Sequence, residues 1–172
     1  EDVLIELNKE IVNNLKSKSV SATSITTKEN NIISVKPAKK ELGYVGVPNQ
    51  IKISIVNQII KSNGIPIIAP IGLDQNNQTF NINADTTAGA IAKKLNARRL
   101  IIMSDVEGVL DDNKKLISEI NTDKVNDLME NDIISGGMIP KIKNCLDVAS
   151  NGVKGVCIID GRLDHSILFE LL

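Results

Sequence analysis

The chain has 172 residues, 42% hydrophobic and 24% charged, enough apolar material for one globular domain with a real core. A formal net charge of −1 gives no broad electrostatic case for nucleic acid or an anionic membrane. No apolar run approaches the ~20 residues of a membrane span, and a single histidine, His165, excludes His-rich zinc arrangements, so no metal site is expected.

Aromatic residues are limited to Tyr44, Phe80 and Phe169, so the core is expected to be built from Ile, Val, Leu and Ala. In chain order, Asn30-Asn31 falls in a polar gap between extended segments and reads as a hairpin turn. Residues 50–62 place Ile51, Ile55, Ile59 and Ile60 on one helical stripe. Residues 65–71 are apolar throughout, the pattern of a strand covered on both faces in a parallel sheet. Asn76-Asn77 reads as a second hairpin turn. Residues 86–95 are rich in small side chains and suit a helix packed close to a sheet; residues 99–104 form the next strand. Residues 122–130 read as a helix opening on a Thr122-Asp123 cap. Residues 138–149 put Ile139, Ile142, Leu146 and Ala149 on one helical face. A strand over 155–159 and a helix over roughly 164–171, capped by Asp164, complete the chain. Cys145 and Cys157 lie in apolar segments and are expected as buried thiols. Helix-period segments alternating with short apolar strands predict an α/β fold, a three-layer α/β/α sandwich with a mainly parallel sheet, in a single domain.

Ligands of open parallel sheets bind beyond the carboxyl ends of the strands. Three segments in such places carry candidate chemistry. Asn81, Asn83 and Asp85 alternate onto one side just before a helix, where two amides and a carboxylate suit a polar ligand; the plainer reading makes Asp85 a helix cap and the asparagines turn residues. Ser104-Asp105-Val106-Glu107-Gly108-Val109-Leu110 follows a strand; Asp105 suits an adenosine hydroxyl, and the plainer reading is an ordinary strand-to-helix turn. Ser135-Gly136-Gly137-Met138-Ile139-Pro140-Lys141 leads into a helix, where glycine N–H groups and a lysine one turn on suit phosphate. Pro140 is tolerated in a first turn, because its missing N–H has no partner there. The chain holds no Walker spacing.

Taken in order, these segments resemble the acetylglutamate kinases of the amino-acid-kinase superfamily. The resemblance also runs through Leu42-Gly43-Tyr44-Val45-Gly46, Ile67-Ile68-Ala69-Pro70-Ile71-Gly72 and Ile159-Asp160-Gly161-Arg162, and it is strongest from about residue 41 onward. It implies transfer of the ATP γ-phosphoryl group to the γ-carboxylate of N-acetyl-L-glutamate, with Mg²⁺ accompanying the nucleotide. Residue by residue it implies Lys141 as a catalytic lysine and Asp85 as the organising carboxylate. Asn81 becomes an acceptor contact with Asn83 in support, and nucleotide contacts fall on Asp105, Val106, Glu107, Gly108, Val109, Leu110, Ile133, Ile134 and Ser135. The family also implies homo-oligomers, dimeric or hexameric, a PII signal protein as partner in some members, and a cytoplasmic or plastid-stromal setting. Neither the family's opening lysine–glycine strand, second glycine-rich loop and substrate-binding arginine nor its short glycine-rich tail has a counterpart here. A fragment inactive on its own is therefore expected. Two further readings stand beside the enzyme: a truncated nucleotide-binding module, and a sister kinase acting on another acid.

Overall fold

A computed structural model describes every residue except Asp132 and Ser135, and the backbone alone of Thr122. The chain divides into two compact units, Glu1–Lys94 and Leu95–Leu172.

The first unit opens with helix α1 (Asp2–Ser17), whose buried face is Ile5, Asn8 and Val12. That three-then-four spacing is helical, but it carries an amide in its middle. Asn8 is 3% exposed, and its Nδ2 donates to the Ile67 carbonyl at 2.8 Å, so the helix is pinned to a strand as well as packed on it. The strand is β4 (Ile65–Ile68), which pairs in parallel with β1 (Ala22–Ile25), Ser24 opposite Ile67. Between them in sequence come β2 (Ile33–Pro37), a short 3-10 turn (Lys40–Leu42), β3 (Val45–Ile51) and helix α2 (Ser54–Lys61). After β4 follow β5 (Ile71–Leu73), β6 (Thr79–Ile82) and helix α3 (Ala84–Leu95). Strands β2, β3, β6 and β5 close on themselves as a small barrel, antiparallel within the β2/β3 and β5/β6 pairs and parallel between them.

Several expectations change here. Asn76-Asn77 does turn a hairpin, with Asp74 Oδ1 accepting from the N–H groups of Asn76 (2.8 Å) and Gln78 (2.9 Å). Asn30-Asn31 does not, because β1 and β2, the strands it links, belong to different sheets. The other hairpin, β2/β3, is closed instead by residues 38–44. The expected helix over 50–62 shortens to α2 because Ile51 is the last residue of β3, opposite Ile33. On α2 the buried residues are Val56 and Ile59, while Ile60 is left 48% exposed. The single strand expected over 65–71 breaks at Ala69-Pro70 into β4 and β5, which lie in different sheets. Pro48 stands in β3 at the irregularity between Ser34 and Val35, a place where its missing N–H costs no regular ladder bond.

The second unit contains β7 (Arg99–Ser104), α4 (Thr122–Glu130), α5 (Met138–Ser150), β8 (Gly155–Asp160) and α6 (Ser166–Leu171). Strands β7 and β8 run parallel in register from Arg99 opposite Gly155 to Ser104 opposite Asp160. The core holds Val109, Val125, Leu128, Ile134 and Ile142, with Ile139 and Leu146 packed against it. Parallel sheets with intervening helices are what the alternating pattern required. On α5 the expected stripe meets the core at Ile139, Ile142 and Leu146, and departs from it at the last turn, where Val148 is buried and Ala149 exposed. Strand β8 is half-buried up to Asp160 rather than covered on both faces. Cys145 and Cys157 are only half-buried, not the buried thiols expected. The caps also shift. Asn121 caps α4, its side chain accepting from the Lys124 N–H at 2.9 Å, and His165, at φ 63°, precedes α6 in place of Asp164. None of the described helices is long and apolar enough to cross a membrane.

Candidate functional site

In the second unit, the carboxyl ends of β7 and β8 open into a cavity of about 760 Å³. Its walls are Met103 to Val106 at and just beyond the end of β7, Gly137, Met138 and Lys141 at the start of α5, and Gly161 and Arg162 after β8. Three of the sequence-derived site residues, Asp105, Val106 and Lys141, are thus brought together, and Met138 joins them. The local reasons are legible. Gly136 takes φ 57°, which lets the chain turn into α5. Gly137 precedes the helix with no side-chain cap, so the first N–H groups of α5 are left to other partners at the cavity wall. Lys141 follows one turn on, half-buried. The Gly161 N–H donates to the Ser104 carbonyl at 2.8 Å and ties the two strand ends together.

Arg162 in this wall is held by a neighbour that lines the second cavity, described below, and that sequence does not single out as a site. Asp160, 5% exposed, accepts three hydrogen bonds from Arg162: from the backbone N–H (2.9 Å), from Nε (2.9 Å) and from Nη2 (2.7 Å). These bonds hold its carboxyl down at a pKa of about 2. The Asp160 bonds in turn hold Arg162 above its ordinary value, with Asp105 and Glu107 adding to the effect. An Asp-Gly-Arg sequence directly after an apolar strand was the available signal, since that is where sheet ligands bind.

The loop expected to hold nucleotide divides. Asp105 and Val106 face this cavity, whereas Glu107, Gly108 and Val109 line a second, apolar one of about 790 Å³ beside β8, with Cys145, Cys157 and Phe169 among its other walls. Gly108 is required by its backbone: it takes φ 143°, and a Cβ there would meet Leu116 Cδ1 at 2.8 Å. Leu110 bridges Leu116. Ile134 is a core residue and Ile133 packs against that core, so neither lines the cavity; Ser135 lies outside the described residues.

Asn81, Asn83 and Asp85 belong to the first unit. Asn81 is an exposed residue of β6, opposite Val45 and Ile71. Asn83 Oδ1 accepts from the Thr86 N–H at 3.0 Å and from the Thr86 hydroxyl at 3.2 Å. It is therefore Asn83, not Asp85, that caps α3, and what it can offer a ligand is its Nδ2. Asp85 sits half-buried in the first helical turn, where the helix dipole favours a carboxylate.

The amino acid kinase family model matches residues 1–160. Acetylglutamate kinase of Pelagibacter ubique is 66% identical over 172 residues, covering 100% of this chain and 60% of that protein. Acetylglutamate kinase of Clostridioides difficile is 44% identical over 170 residues, covering 96% of this chain and 59% of its own length. Among solved structures, smu.665 of Streptococcus mutans superposes with a TM-score of 0.81 at 31% identity, covering 88% of this chain and 62% of that one. The chain thus spans about three fifths of the length of the curated relatives it matches. With a family match over residues 1–160 and an α/β fold whose cavity lies at the strand ends, the chain belongs to the amino acid kinase family.

Proposed function

We propose that this chain carries the nucleotide-handling part of an acetylglutamate kinase, which moves the ATP γ-phosphoryl group to the γ-carboxylate of N-acetyl-L-glutamate in arginine biosynthesis. The observation that carries the reading is the meeting of Lys141, the uncapped start of α5 and Asp105 in one cavity beyond β7 and β8. Phosphoryl transfer asks the protein for positioned positive charge rather than for a nucleophile. Lys141 and the α5 N–H groups supply that charge for the phosphates, and Asp105 is a carboxylate suited to a ribose hydroxyl. The 66% identity to the Pelagibacter ubique enzyme supports the same substrate pair.

Within this reading Asn81 contacts the acceptor and Asp85 organises the cationic groups. The remaining nucleotide contacts along Glu107–Leu110 and at Ile133–Ser135 would act through the backbone or by shaping the loop. The described residues contain no cluster of three metal-ligating side chains. Mg²⁺ would accompany the nucleotide and neutralise phosphate charge. Assembly into a homo-oligomer and contact with a PII-type protein belong to the same proposal, and the mass in solution with and without that partner reads both.

The test is a hydroxamate assay for acetylglutamyl phosphate on the full-length protein. Lys141→Ala is expected to lower turnover far more than ATP affinity, and Asp85→Asn to lower turnover with the fold intact. A Lys141→Ala turnover loss smaller than about tenfold (~1.4 kcal/mol) removes that lysine from the reaction. Calorimetric ATP binding by a full-length protein that forms no acyl phosphate would instead establish a binding module.

A further inference from the structure

We propose that Arg162 is the stacking surface for the purine base, a role that rests on the nucleotide reading of this cavity. The described walls carry no aromatic side chain, and a guanidinium is the planar group they hold. Arg162 offers one. Its Nε and Nη2 are bound in plane to Asp160, a carboxylate 4% exposed, which fixes the guanidinium, while the Arg162 side chain stays 63% exposed. In-plane hydrogen bonds leave the faces of the guanidinium free, and a fixed guanidinium plane stacks on aromatic rings at low ordering cost. Met103 and Met138 line the same cavity, and thioethers make favourable contacts with ring edges.

Charge decides between base and phosphate as the partner. Arg162 is already balanced by Asp160 at 2.7 Å, and Asp105 and Glu107 add negative charge around it. A triphosphate is poorly served there. Lys141 and the start of α5 line the same cavity and suit the phosphates, and the guanidinium plane of Arg162 suits the uncharged end of the nucleotide.

The experiment is calorimetric titration of the full-length protein with ATP, AMP and inorganic triphosphate. Arg162→Lys keeps a cation beside Asp160 but loses the plane. It is expected to weaken ATP and AMP alike by about tenfold and to leave inorganic triphosphate unchanged. The double variant Arg162→Met with Asp160→Asn removes the buried charge together with its partner and is expected to behave the same way. Wild-type affinity for ATP in both variants overturns the assignment, as does a parallel loss for inorganic triphosphate, which would make Arg162 a phosphate contact. A wild-type protein that binds no nucleotide would instead overturn the kinase reading, and this one with it.

Discussion

Gly72→Ala is expected to unfold the barrel at markedly lower denaturant. Gly72 lies in β5 opposite Phe80. A Cβ there would stand 2.7 Å from the Ile33 carbonyl oxygen, 2.7 Å from Val35 Cγ1 and 3.1 Å from Ile33 Cγ2. Ordinary contacts of this kind need 3.4 Å or more, so at least 0.7 Å must be found by moving something. The side chain of Val35 could turn. The Ile33 carbonyl cannot, because β2 is held by β3 on one side and β5 on the other in a closed barrel. The cost therefore falls at the upper end of the ~1–3 kcal/mol typical of overpacking. With a urea dependence of ~1–3 kcal/mol per molar for a small domain, the midpoint should fall by roughly 1–3 M. Far-UV circular dichroism reads the midpoint, with the fluorescence of Tyr44, the chain's one tyrosine, whose ring centroid is 5.8 Å from that of Phe80, as a second probe. Gly46→Ala is the matched comparison: its Cβ would meet only side-chain atoms, Phe80 Cβ at 3.0 Å and Val35 at 3.1 Å, and it should cost less. A Gly72→Ala midpoint within about 0.3 M of wild type, or a larger loss for Gly46→Ala, refutes the argument.

Asn83→Ala should destabilise by about 1 kcal/mol through loss of the α3 cap, with Asn83→Asp keeping most of it; equal thermal melts for all three proteins would refute the cap. Burial, and after it Glu170, pushes the Cys157 thiol from 9.0 up to about 11, so at pH 8 its thiolate should be about a hundredfold scarcer than an ordinary cysteine's and alkylation correspondingly slow. Peptide mapping after iodoacetamide treatment measures this, and a rate equal to that of a free thiol contradicts it. The same raised value means that this thiol favours the folded state below pH 9 and loses that contribution as pH rises from about 9 to about 11. Asp160 acts in the opposite sense. Its depressed carboxyl contributes stability that is complete above its unfolded value near 4 and is lost as pH falls toward about 2. The acid limb of the stability curve should therefore flatten over that window in Asp160→Asn, and an unchanged limb would exclude it.

The second unit could be read from sequence because its elements announce themselves locally. β7 and β8 are unbroken apolar runs of strand length, and α4 begins and ends where its pattern does. The first fifty residues could not, for a reason visible in the packing. The buried face of α1 includes Asn8, so its apolar period is interrupted where the helix is most buried. Strands β2 and β3 mix Ser, Lys, Gln, Asn and Pro with their apolar residues, and they are strands because they pair with each other and with β5 and β6. Ile51 shows the competition directly. Its spacing from Ile55 and Ile59 is helical, but its pairing with Ile33 at the end of a closed barrel decides its conformation.

The candidate site divides along the same line. Asp105 and Lys141 were legible because each follows a recognisable local event, a strand end or a glycine pair before a helix. Glu107, Gly108 and Val109 are neighbours of Asp105 in sequence yet line a different cavity, so adjacency along this loop does not tell which cavity a residue faces. Asp160 was illegible because one aspartate at a strand end gives no sign of burial. Its burial nonetheless explains the local order. A carboxylate taken out of water must be paired or it destabilises the fold. Pairing with Arg162 two residues later fixes the chain around Gly161, whose N–H holds the Ser104 carbonyl at 2.8 Å. The residue after Ser104 is Asp105. One buried charge thus sets the geometry of both strand ends that wall the cavity, and with it the direction in which Asp105 and Arg162 meet whatever binds there.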